Sequence, residues 1–331
     1  MSTAGFGERK PGPRKVVVGT AMYAMWHAYP GLEQRLGELA TLVDRMAVEA
    51  SRRFGARLDI AALPEVAVSG GLEGTGRQVA FPLEGPVLDI MGAAARRHSC
   101  YVVVPLYLVD DEEKGLYSNA AVLLDRAGRP AGVYRKVFLV VERGAAKAEA
   151  GASPGKEFPV FDCDFGRVGM QICWDMAFDD GWEEMRRKGA ELVIWPTQWP
   201  GRVHSGSRAL RGGCHVLSST WRNNASLLDP TGHVIADTRS EGVLVERIDL
   251  AWEILAWQAP LKNGALFDER FGSRAGYRYS EEEDCGIFWS NDPAMPIQEM
   301  VRVLGLETKA EEVERTRRFL LPLRGGPPRT G

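Results

Sequence analysis

No run of the roughly 18 consecutive apolar residues that a membrane-spanning helix requires occurs anywhere in this 331-residue chain. The first residues, Met1 to Lys15, are rich in glycine, proline and charge and have no apolar centre, so a signal peptide or membrane anchor is not expected there. A long basic block is also missing: 41 lysines and arginines stand against 44 acids, for a net charge of −3, with both signs dispersed. That balance argues against a nucleic-acid surface and leaves a small polar molecule or a protein as the expected partner. Cysteine is scarce, with five residues (Cys100, Cys163, Cys173, Cys214 and Cys285), widely spread, odd in number and without a C-x-x-C pair. Such a pattern fits reduced thiols in the cytoplasm, not a disulfide framework. The five histidines show no H-x-x-x-H spacing, so no metal site is expected. Gly70, Gly71, Gly74 and Gly76 form neither a P-loop nor a dinucleotide fingerprint, and no cofactor is implied.

What is present is ample material for a core, 45% of the chain being hydrophobic. Val16 to Thr20 reads as a buried strand. Leu32 to Phe54 reads as an amphipathic helix, with Leu36, Leu39, Val43, Met46 and Ala50 on one face and Arg35, Glu38, Asp44 and Glu49 between them. A strand toward Glu65, a helix from Val87 to His98 and a strand from Tyr101 to Leu108 follow. Next comes a hairpin, 120–124 with 132–134, whose turn is Asp125-Arg126-Ala127-Gly128-Arg129-Pro130. Beyond residue 173 the alternation continues with a helix near 182–188, a strand at 191–195, a helix at 205–210, a strand at 215–220 and a second hairpin around Asp229-Pro230-Thr231-Gly232. Strands interleaved with helices predict an α/β layered domain, and the hairpins predict mixed sheets. Three segments are expected: a tail, 1–15; a main domain, 16–250; and an extension, 251–331, packed on the surface or at a subunit interface.

Three apolar runs end on a reactive group. Arg167 to Ile172 leads to Cys173, Leu58 to Pro64 leads to Glu65, and Val133-Tyr134-Arg135 leads to Lys136. A strand end holds a side chain rigidly while the following turn exposes it, which suits a nucleophile. Each residue alone has a plainer reading: a small buried thiol, a surface acid after a proline, a solvated amine. An acid, an amine and a thiol together supply what thiol-based acyl transfer needs.

In order and spacing, Ala62-Leu63-Pro64-Glu65, Val133 to Leu139 and Gly166 to Asp175 resemble the motifs of the nitrilase superfamily of carbon–nitrogen hydrolases. The likeness continues through Lys188 to Thr197 and Ser226 to Gly232. It implies a four-layer α-β-β-α sandwich of two mixed sheets, and a homodimer or higher homo-oligomer. It also implies catalytic roles for Glu65 as base, Lys136 as electrostatic stabiliser and Cys173 as nucleophile, with the backbone N–H of Trp174 beside the substrate oxygen. Glu142 is expected to orient the lysine, with Glu149 competing for that place. Asn119 matches a further position of the family, and Trp174 and Trp199 suit an apolar substrate wall. Arg202 and Arg208 could receive a substrate carboxylate, but solvated arginines are the expected reading. Two departures stand out: Met176-Ala177-Phe178-Asp179-Asp180 replaces the usual phenylalanine-proline-glutamate, and Arg211-Gly212-Gly213 replaces a glutamate-asparagine pair. The expected substrate is a small linear amide or N-carbamoyl compound, opened through a thioester. The alternatives are a nitrile substrate, transfer of the acyl group to an amine, or a non-catalytic binding protein of the same fold.

Overall fold

The computed structural model describes residues 12–144 and 148–323. Most of the expected N-terminal tail, residues 1–11, lies outside them. Two compact units emerge among the described residues, Val16–Ile248 and a second made of residues 12–15 with 249–323.

The larger unit runs β1 (Lys15–Met22), α1 (Leu32–Phe54), β2 (Ile60–Ala62), β3 (Ala80–Phe81), α2 (Pro86–His98), β4 (Tyr101–Asp111), β5 (Leu116–Leu124), β6 (Pro130–Arg135), β7 (Val160–Cys163), β8 (Gly166–Met170), α3 (Asp180–Arg187), β9 (Leu192–Thr197), α4 (Arg202–Gly212), β10 (His215–Thr220), β11 (Ala225–Leu228), β12 (Val234–Thr238) and β13 (Gly242–Asp249). Hydrogen bonding follows the order β6-β5-β4-β2-β1-β10-β9-β8-β7. The central pairs are parallel, and the edges β5–β6 and β7–β8 are antiparallel hairpins. β1 and β10 meet through one register pair, Met22 with Thr220, so the path consists of two mixed half-sheets. Hydroxyls complete the join: Ser219 Oγ donates to the carbonyl of Ala21 at 2.9 Å and Thr20 Oγ1 to that of Ser218 at 2.6 Å.

Alternation within the strands explains the layers. Val17, Ala61, Val102 and Val104 face α1 and α2, where Leu36, Leu39, Met46 and Met91 complete one core. Val16, Val18 and Ile60 are equally buried although they point the other way, as parallel strands covered on both faces require. On the second half-sheet Val193, Trp195 and Val216 pack under Trp182, Met185 and Ala209 of α3 and α4. The architecture is α/β with mixed sheets. Helix α1 has the bounds read from its periodicity and ends at Gly55, whose φ of 59° is the left-handed conformation glycine adopts without strain.

In the smaller unit β14 (Trp252–Ala256), α5 (Ala265–Phe271), β15 (Ala275–Ser280), β16 (Cys285–Ser290), α6 (Ile297–Val303) and α7 (Lys309–Leu323) follow one another. β14, β16 and β15 form an antiparallel sheet with its own core of Phe267, Phe288, Ile297 and Met300.

Candidate active site

The three reactive groups follow strands, Lys136 directly and Glu65 and Cys173 three residues on, the last two with local departures from regular backbone. β6 stops at Arg135, and Lys136 follows at once, its N–H donating to the Asn119 carbonyl at 2.8 Å and its carbonyl accepting from Gly155 N–H at 2.8 Å. Residue 155 must be glycine, because a Cβ there would lie 2.1 Å from the Arg135 carbonyl oxygen. β2 ends at Ala62, three residues short of the acid, and Glu65 sits in the turn beyond. The next residue, Val66, has φ of 50°, a conformation that a β-branched side chain avoids. β8 ends at Met170, and Cys173 opens a short 3₁₀ turn, Cys173–Ala177, with φ of 44°. Backbone of this kind costs of order 1–3 kcal/mol per residue and persists only where the surroundings enforce it.

Enforcement at the glutamate turn comes from Arg35. Its place among the charged positions of α1 suggests a solvated side chain, but the structure buries it completely. Its guanidinium donates to the carbonyls of Ala67 at 3.1 Å, Gly70 at 2.7 Å and Met25 at 3.3 Å, tying down the turn that carries Glu65. At the cysteine turn the clamp is Asp175, whose carboxylate accepts from Tyr134 Oη at 2.7 Å, Phe138 N–H at 2.8 Å and Ile172 N–H at 3.0 Å. Desolvation outweighs those bonds and raises its carboxyl to about 6. Trp195 Nε1 donates to the Cys173 carbonyl at 3.1 Å from below.

The side chains converge in a buried polar cluster. Lys136 Nζ donates to Glu65 Oε1 at 3.0 Å, and the two side chains are each 1% exposed. It also donates to both oxygens of Glu149, at 3.1 and 2.8 Å. Asn119 Nδ2 bridges the same acids, 2.9 Å from Glu65 Oε1 and 2.8 Å from Glu149 Oε1. Burial works against the lysine's charge, but Glu65, Cys173 and Glu149 more than compensate and hold the amine well above the ordinary lysine range. Burial followed by the Glu65 charge pushes the Cys173 thiol up to about 12, while Lys136, the Gln198 N–H and the Thr197 hydroxyl pull it down. The Gln198 N–H donates to Glu65 Oε2 at 2.9 Å and so orients the acid. Burial therefore favours the neutral thiol, while the surrounding acids favour the ammonium.

Several placements differ from the sequence reading. Glu149, not Glu142, reaches the lysine: a 3₁₀ turn at Glu149–Gly151 folds back, with Val140 N–H donating to Glu149 Oε2 at 3.0 Å, and Glu142 is left exposed to solvent. Proximity in the chain to Lys136 was a poor guide because a loop, not a strand, follows it. Arg202 and Arg208 are both committed, to Asp237 and Asp179 respectively. Arg208 is buried and also donates from Nε and Nη2 to the Met176 carbonyl at 3.2 and 3.0 Å, bracing the cysteine turn and leaving no role as a carboxylate receptor.

Three contributors escaped the sequence reading. Thr197 ends β9 and Gln198 follows it, and they act through a hydroxyl and a backbone donor. Tyr107 is the register partner of Asn119 on β4. Burial, then Glu149 and Glu65, raises its hydroxyl above the ordinary tyrosine range, with Lys136 opposing. Its signal was present in the alternation of β4, which puts residues 107 and 119 on one face. Trp174 stays exposed beside the nucleophile, and Trp199 packs against it with ring centroids 5.8 Å apart.

A family model described as carbon-nitrogen hydrolase matches residues 28–253. The chain belongs to the carbon–nitrogen hydrolase family. Among curated relatives of this hydrolase, a probable nitrilase of Schizosaccharomyces pombe is 26% identical over 50% of this chain and 66% of its own length. An N-carbamoylputrescine amidase of Arabidopsis thaliana is 27% identical over 45% of this chain and 60% of its own. The matches thus span two thirds or less of these relatives. Among solved structures Saccharomyces cerevisiae Nit3, a member of branch 10 of the nitrilase superfamily, superposes with a TM-score of 0.61 at 19% identity, covering 73% of this chain and 93% of Nit3. That likeness is one of fold, and it places the two half-sheets of this carbon–nitrogen hydrolase within the nitrilase architecture.

Proposed function

We propose that the protein hydrolyses a non-peptide C–N bond of a small linear amide or N-carbamoyl compound through a thioester on Cys173. The observation that carries this reading is the buried ion pair of Lys136 with Glu65, Nζ to Oε1 at 3.0 Å, whose two charges both act on the Cys173 thiol. Because burial favours the neutral thiol, attack and deprotonation belong to one step: Glu65 takes the proton as sulfur bonds to the carbonyl carbon. Lys136 and the Trp174 N–H balance the charge that grows on the substrate oxygen. The C–N bond then breaks, Glu65 returns the proton to the departing nitrogen, and ammonia or an amine leaves. Water, deprotonated by Glu65, opens the thioester and frees the acid. Glu149 and Asn119 position the lysine and the base.

A nitrile is the second reading, since the same thiol adds to a nitrile carbon and the relatives include a probable nitrilase. A panel of amides, carbamoyl compounds and nitriles, followed by ammonia release and intact mass, tests the proposal. Turnover of amides with a transient acyl adduct on Cys173 supports it. Turnover of nitriles alone transfers the assignment to the second reading, and no turnover with any of them leaves a non-catalytic binding protein. A homo-oligomer belongs to the same proposal. Phe319 and Leu323 of α7 are each 72% exposed, and deletion from Lys309 onward is expected to lower the mass seen by light scattering to that of a smaller assembly.

A further inference from the structure

A cluster of aromatic rings adjoins the turn that carries the nucleophile. Trp174, the residue after Cys173, leaves 41% of its surface open. Its ring meets Trp199 at 5.8 Å between centroids and Phe178 edge-on at 6.3 Å. Phe178 is stacked on Phe138 at 3.8 Å, and Trp199 rests on Trp195, the ring that donates to the Cys173 carbonyl. The wall is rigidly mounted: the Trp199 backbone N–H donates to the Thr197 hydroxyl at 2.8 Å, and that hydroxyl donates back to the Trp199 carbonyl at 2.7 Å. A large ring kept in water next to a reactive thiol is unfavourable unless something apolar covers it during the reaction. Two guanidiniums on the same helix, α4, are already engaged, Arg202 with Asp237, and Arg208 with Asp179 and the Met176 carbonyl.

We propose that this wall selects the acyl part of the substrate, and that the group it takes is an uncharged planar aromatic ring laid against Trp174 and Trp199. The inference rests on Cys173 being the nucleophile proposed above and adds the substrate class to that reading. An aromatic ring stacked on such a wall gains attraction beyond the area it buries, and burial of the ring itself adds to that. Together these correspond to a selectivity of at least about tenfold over a short alkyl group.

Alkylation of the thiol tests the wall separately from turnover. 2-Chloro-2-phenylacetamide and chloroacetamide each form a C–S bond to Cys173 with loss of chloride, the thiol proton passing to base, and intact mass reads the rate. After division by their rates with free cysteine, the aryl reagent is expected to react at least about tenfold faster with the intact protein. The ratio should fall to within about threefold of unity in Trp199→Leu and in Trp174→Leu, and recover in Trp174→Phe. Equal corrected rates in the unaltered protein would overturn the proposal, as would a ratio that survives both leucine variants. A matched cationic reagent, 2-chloro-4-aminobutanamide, that outpaces the aryl one would overturn it in favour of a cation-binding wall. Ammonia release from phenylacetamide reports on the hydrolase reading alone: a selective wall with no release would leave this inference standing and remove the other.

Discussion

Lys136 and Glu149 are joined twice, the amine donating to both carboxylate oxygens at 3.1 and 2.8 Å. A single carboxylate on a buried ammonium would leave it free to swing; two bonds from Glu149 and one from Glu65 fix its direction. The pair is built from a loop residue and a strand-end residue, and it decides which acid supports the proposed chemistry.

Glu149→Gln should therefore lower kcat by about 10- to 100-fold with a smaller change in KM, because it removes charge from a group that positions the lysine. Glu142→Gln, on exposed chain, should stay within about twofold, given that surface changes rarely exceed 0.5 kcal/mol. Steady-state kinetics on both variants checks the contrast, and equal effects would undo it.

Glu65→Gln is expected to do two opposite-looking things. The Glu65 charge helps hold the thiol up at about 12, so its removal should shift the Cys173 titration to lower pH, read by ultraviolet thiolate absorbance. Acylation should nonetheless slow by about 10²- to 10⁴-fold, because the proton acceptor is gone. A thiol that titrates where it did before, in a variant that acylates normally, would remove Glu65 from the mechanism.

Cys173→Ala should abolish turnover and adduct while the thermal melt stays close to that of the unaltered protein, since alanine fits a buried apolar site. Lys136→Ala should cost about 10²-fold or more in kcat, as loss of an oxyanion donor does. It should also destabilise the fold by about 3–5 kcal/mol, because Glu65 and Glu149 would face each other buried and without their cation. Denaturant unfolding separates the two effects.

Asp175→Asn places an N–H₂ group among three donors that now converge on two oxygens. Relief of the burial that raises the Asp175 carboxyl offsets part of the loss, and a net cost of about 1–3 kcal/mol is expected. Because the turn carries the nucleophile, alkylation of Cys173 should slow along with the fall in melting temperature. A lower melting temperature with normal alkylation would confine Asp175 to a structural part.

Much of this protein was written locally. The period of 3.6 that placed Leu36, Leu39, Val43 and Met46 on one face determined α1 to the residue, and turn residues at 125–130 determined the β5–β6 hairpin. The positions of Glu65, Lys136 and Cys173 just beyond strand ends were legible because apolar alternation stops there. Tertiary structure decided what alternation cannot express. Whether Glu142 or Glu149 meets Lys136 depends on how a loop folds back, and loops carry no period. That Arg35 is buried depends on carbonyls of Met25, Ala67 and Gly70 supplied by distant chain, since only those acceptors make a buried guanidinium tolerable. The commitment of Arg208 to Met176, and the N–H that Gln198 donates to Glu65, are likewise invisible in one dimension: the first needs a partner 32 residues away, and the second comes from a main-chain group 133 residues from the acid.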